Sequence, residues 1–210
     1  MKFPVLASII FIAFFFNLSM NRVSRKEALR EESFWEKERR ANEIRKKSLE
    51  NLDYINIPVN ILPFETYGNN EELKLAEQEV LALKDEKIVN LTGITNTDLK
   101  LEYGTANITP LSIYDQNYTS LARGLQNWGQ VLYNEGRYED ASKVLEFAVK
   151  TRTDITATYR LLVDMYKTKL LLNETEINQK IDSLIPIAKN LNSLSKHTIL
   201  NLLGSEEPKK

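Results

Sequence analysis

The sequence predicts an all-α protein: an N-terminal transmembrane helix, a charged helical stalk and a small right-handed helical-repeat domain. Three observations predict it. Phe3 to Met20 carry no charge. Arg22 to Lys47 hold ten basic and six acidic residues with few apolar ones between them. Gly124 to Lys150 reads as two antiparallel helices joined by a tight turn at Gly136. The chain then divides into an anchor (1–21), a stalk (22–52), an extended strap with capping helices (53–115), helical repeats with a C-terminal cap (116–203) and a polar tail (204–210).

Composition narrows the function. The 210 residues are 42% hydrophobic and 27% charged, with a net charge of −1. No global basic field calls for nucleic acid. There is no cysteine, so thiolate metal sites and cysteine nucleophiles are excluded. The one histidine, His197, follows Lys196 in a polar run and reads as a surface residue. Neither paired carboxylates, a glycine-rich phosphate loop nor a metal-spaced cluster occurs. The expectation is a protein that is not an enzyme and uses no cofactor.

Eighteen uncharged residues from Phe3 to Met20 cover about 27 Å as a helix, close to a bilayer's hydrocarbon core. Pro4 falls in the first turn, where its missing N–H costs nothing. Lys2 would suit a signal peptide, but the exit Asn17-Leu18-Ser19-Met20 lacks small residues for cleavage. An uncleaved single-pass anchor in the plasma membrane is expected. Arg22, Arg25, Lys26 and Arg30 follow the segment closely and place the C-terminal domain in the cytoplasm. With Lys2 retained inside, the extracytoplasmic orientation is the alternative.

Ser24 to Glu27 fits a helix start, with a capping serine and an acid three residues on. The stalk helix is expected to reach about Leu49. Ala28, Leu29, Phe34, Trp35, Ala41 and Ile44 form only a narrow, broken stripe. This suits a solvated helix that lifts the domain off the membrane. A stalk lying on anionic headgroups with Phe34 and Trp35 dipping in is the sharper alternative.

Pro58 and Pro63 forbid a continuous helix through Asp53 to Tyr67. Alternation there predicts a strap that lays Ile55, Ile57, Val59, Ile61 and Phe64 on a helical core. A helix is expected from Glu71 to about Asn90, and a short one from Asn96 to the Gly104 stop. Ala106 to Tyr114 reads as a loop around Pro110. A long helix capped by Asp115 or Asn117 then enters the hairpin.

In the hairpin, Gly129 lets two helices approach and Gly136 supplies a positive φ at the turn. Trp128 reads as core. A second, looser unit follows: Thr158 to Lys169, then Lys180 to Asn190, with an enlarged turn at Leu170 to Asn178. Pro186 is expected to kink or shorten that last helix. Ser195 to Leu203 reads as a cap. Five Asn-x-Ser/Thr triplets occur among nineteen asparagines, as chance alone would produce.

Trp128-Gly129, Tyr133, Gly136, Tyr138, Ala141, Leu145 and Ala148 resemble a tetratricopeptide repeat. The resemblance covers about Asn117 to Asn190. It departs from the family pattern in placing Trp128 where a leucine-like residue is usual, and in lacking the closing proline. The whole chain is also similar to uncharacterised membrane-anchored repeat proteins of Gram-positive clostridia, which supplies no activity. The tetratricopeptide resemblance implies a protein or peptide partner held on the concave face of the first helices. On this chain that face carries Arg123, Gln126, Gln130, Tyr133, Asn134, Arg160, Asp164 and Lys167, a polar and slightly basic set. The alternative is a structural or regulatory membrane subunit whose groove is filled by its own strap.

Overall fold

The computed structural model describes residues 30–205, together with Phe16, Met20 and Glu27. Apart from Phe16 and Met20, the expected anchor lies outside the described residues, as does most of the tail. Among the described residues no helix is long and apolar enough to cross a membrane. The described architecture is all-α, and the chain falls into two compact units, 1–48 with 95–108, and 49–94 with 109–210.

The first unit pairs α1 (residues 30–43) with α3 (Asn96–Tyr103). The stalk helix is thus not solvated all round. Ala41 is fully buried, and Leu99 on α3 is buried as well. Lys37 Nζ meets Asp98 at 2.7 Å, and Lys100 pairs with Glu38, which also accepts from Thr97 Oγ1 at 2.7 Å. The helix ends at 43 rather than near Leu49. The chain is then extended, and the Lys47 N–H donates to the Tyr103 carbonyl at 3.0 Å. Buried Asn107 joins the two strips: its amide donates to Lys47 O at 2.8 Å and to Tyr103 O at 2.6 Å. Thr95 caps α3, its hydroxyl accepting the Asp98 N–H at 3.2 Å. Gly104 ends it as expected, at φ 87° and so close to the Arg45 carbonyl that a Cβ has no room.

The second unit holds the helical hairpin. α4 (Ile108–Asn134) begins seven residues before the expected Asp115 cap. Pro110, expected to sit in a loop, lies in its first turn, where no N–H is needed. A cap at Asp115 was not required, and that carboxylate instead accepts the Leu91 N–H at 3.1 Å. α4 packs against α5 (Tyr138–Lys150) where Gly129 faces Leu145; a Cβ there would collide with the leucine side chain. Leu145 therefore packs on its own hairpin partner. Gly136 turns the chain at φ 75°. Trp128 is fully buried.

α6 (Thr156–Asp164) runs on as a π-helical turn, Met165–Lys169, closed by Leu170 N donating to Met165 O at 2.8 Å. The turn that follows is short, not enlarged, because Asn173 caps α7 (Glu174–Lys189) in a reciprocal box with Glu176. Pro186 does not shorten α7. It sits in the last turn and removes only one bond, to the Asp182 carbonyl. α8 (Lys196–Leu202) closes the unit.

The strap departs most from its pattern. Ile57 and Leu62 are buried, Ile55 and Phe64 pack partly on the core, and Ile61 is 71% exposed. Val59 is exposed too. The cause is a turn at Pro58, whose carbonyl accepts Ile61 N at 2.9 Å and Leu62 N at 3.1 Å. That turn breaks the period of two and sends Leu62 inward instead of Ile61. α2 covers Glu71–Leu81 only. The residues that would have prolonged it meet the strap, with an antiparallel bridge between Tyr54 and Val89 and Ile55 N donating to Ile88 O at 2.9 Å.

Candidate functional site

The eight residues expected on the first-helix face come from α4 and α6. Thr158 Oγ1 donates to Gln126 Oε1 at 2.6 Å, and Tyr133 OH donates to Asp164 Oδ2 at 2.6 Å. Both contacts advance in the same direction along their helices, so α4 and α6 run side by side and parallel. The bond to Asp164, with burial second, pushes the Tyr133 phenol up to about 12. Gln126, Tyr133 and Asp164 are therefore committed to joining the helices. Gln130 donates to Asn134 at 3.0 Å along α4. Arg123, Asn134, Arg160 and Lys167 stay exposed.

A polar latch fixes the far end of the strap. Glu77 on α2 is 3% exposed, and its carboxylate accepts the Glu65 N–H at 2.7 Å. That bond holds Glu65 at φ 60°, a left-handed conformation rare outside glycine. Arg137, just past the hairpin turn, donates to the Thr66 carbonyl and hydroxyl, each at 2.7 Å. Its guanidinium also meets Asp140 at 2.6 Å. Burial raises the Glu77 carboxyl, and the Glu65 and Thr66 donors and Arg137 oppose it. Phe64, next to the latch, stacks on Trp128 at 4.6 Å. A cavity of about 360 Å³ opens beside Glu77, between the strap and α2.

A larger groove, about 460 Å³, lies between the strap, α5 and α7. Leu62, Phe147, Leu184 and Ile187 give it an apolar lining, and Ile61 stands at its edge. Lys143, Lys150 and Lys180 line it with a single acid, Glu146. Glu146 Oε1 accepts both Lys180 Nζ and Tyr166 OH, each at 2.8 Å. Lys180 also sits over the Tyr166 ring, 5.2 Å from its centroid. Burial and the Glu146 carboxylate together raise the Tyr166 phenol.

The residue list expected from sequence omits this second-helix groove. A signal for it existed. Lys143, Phe147 and Lys150 recur at four and three residues along α5, on a side separate from Ala141, Leu145 and Ala148. Two asparagines of the triplets have structural duties: Asn90 donates to Thr151 O at 3.1 Å, and Asn173 caps α7. Among the described residues no group of three or more His, Cys, Asp or Glu side chains is placed to hold a metal ion. Comparison with family models, curated proteins and solved structures finds no match to the chain.

Proposed function

We propose that this chain is a non-enzymatic scaffold, anchored in the plasma membrane by its apolar N-terminus, whose helical-repeat surface holds a protein or peptide partner on the cytoplasmic side. The observation that carries the reading is an exposed polar face: Arg123, Asn134, Arg160 and Lys167 are exposed on two parallel helices joined by Tyr133–Asp164 and Gln126–Thr158. Parallel first helices are how stacked helical hairpins build a continuous binding surface. The strap supports the reading as well, because the groove that Ile61 lines includes none of Arg123, Asn134, Arg160 and Lys167.

The alternative is a structural subunit whose strap fills its own surface. The burial of Ile57 and Leu62 favours it. The two readings part on a photocrosslinker placed at Arg160 in the full membrane-bound chain. A discrete adduct that is lost in Arg123→Glu supports the scaffold; no adduct at Arg160 or elsewhere on the two helices removes its site. A reporter fused after Lys210 tests the orientation, and activity outside the cytoplasm would reverse it.

A further inference from the structure

Building on the scaffold reading, we propose that partner binding centres on the groove between the strap, α5 and α7, and that its occupant is an acidic peptide segment carrying a large apolar side chain. The lining supplies both halves of that chemistry. Leu62 and Leu184 are buried, Phe147 and Ile187 partly so, and together they form an apolar wall open on one side. Ile61 is 71% exposed at the edge of that wall. An exposed isoleucine held on a tight turn is a site where burying apolar area adds affinity.

The charge around the wall is one-sided. Glu146 is already neutralised by Lys180 and oriented by Tyr166. Lys143 reaches Asp140 at 3.3 Å, but that carboxylate is shared with Arg137 at 2.6 Å. Lys150 is exposed and has no partner among the described residues. The groove therefore presents cationic charge to an occupant. Lys143 and Lys150 are seven residues apart on one helix, about 10.5 Å along its axis. One carboxylate cannot reach both, so a fatty acid or another monocarboxylate satisfies only part of the rim. A peptide with acids on both sides of an apolar anchor satisfies both ends. The wall is also preorganised. Arg137 ties Thr66 and Phe64 stacks on Trp128, so little chain entropy remains to be lost on binding.

The test is a random-peptide phage library panned against the full chain in nanodiscs, with empty nanodiscs used to remove membrane binders. The expected selection is sequences with a large apolar residue flanked by Asp or Glu. A selected peptide, followed by fluorescence anisotropy, should bind about tenfold more weakly to the Lys143→Glu/Lys150→Glu variant and to Ile61→Ser. Lys84→Glu, a reversal away from both surfaces, should stay within about twofold of the parent, and Arg123→Glu/Arg160→Glu separates the groove from the first-helix face. Panning the lysine double variant should select basic peptides, a reversal that misfolding cannot produce. If affinity falls with the Arg123 and Arg160 reversals and not with the groove variants, the groove is overturned and the scaffold reading stands on its first-helix face. If the library yields no peptide sensitive to either pair, both are overturned.

Discussion

Phe64 and Trp128 lie 4.6 Å apart, ring centroid to ring centroid, with planes tilted by 39°. Phe64 follows Pro63 in the strap, and Trp128 is fully buried on α4. The contact ties the strap to α4. Phe64→Ala should cost about 2 kcal/mol, less than a fully buried phenylalanine because Phe64 is only partly covered. Urea unfolding followed through Trp128, in a Trp35→Phe background, gives the value. A cost below about 0.5 kcal/mol would mean that the strap adds little to the stability of the second unit.

Gly129 faces Leu145 across the hairpin. A Cβ at Gly129 collides with the leucine branch, and Leu145 is fully buried and cannot swing away freely. Gly129→Ala should destabilise by about 1–3 kcal/mol through overpacking. Leu145→Ala alone should cost about 2–5 kcal/mol through its cavity. The double variant should be more stable than the sum of the singles implies, since each change relieves the other. Additive costs from thermal or urea unfolding would rule out the steric contact as the cause.

The hairpin was legible because it depends on local chemistry: a glycine at a crossing, a glycine at φ 75°, small and large apolar residues at helical spacing. The strap was half legible. Its prolines excluded helix, but alternation could not anticipate that the Pro58 turn would send Leu62 inward and Ile61 out. The fate of α1 was not legible. Lys37 and Asp98 are 61 residues apart, and ion pairs at that separation leave no trace in periodicity. Pro110 was misleading because a proline marks a helix start as readily as a break. The second-helix groove went unread because family resemblance drew the site to the first helices.

Glu77 should give the second unit a distinctive pH response. Its folded carboxyl titrates above the ordinary value of 4.5, chiefly because it is buried. The folded state therefore holds a proton more tightly than the unfolded chain. The stability this contributes is present below about pH 4.5 and is lost as pH rises through the raised folded value. Glu77→Gln keeps an acceptor for the Glu65 N–H and removes the titration. Relative to this variant, the parent should lose stability as pH climbs from 4.5 toward neutrality. Parallel urea midpoints for the two proteins across that range would show that the latch does not titrate.

The first unit should respond to pH in the opposite sense. Hydrogen bonding to Lys100 and then Thr97 holds the Glu38 carboxyl below its usual range, and Lys37 followed by Thr95 does the same for Asp98. For a lowered carboxyl, the stabilisation exists above the unfolded pKa and is lost as pH falls through the folded one. Both groups bridge α1 to α3, so acidification should loosen that pairing while the apolar core of the second unit persists. Hydrogen exchange is a direct measure, because the Lys47 N–H is protected only by its bond to the Tyr103 carbonyl across the same pairing. Protection over 30–48 should fall below about pH 4, while α5 amides keep theirs. In Lys37→Met/Lys100→Met, protection over 30–48 should already be low at neutral pH and change little on acidification. If the parent segment keeps its protection to pH 2, Ala41 and Asn107 hold α1 without the ion pairs.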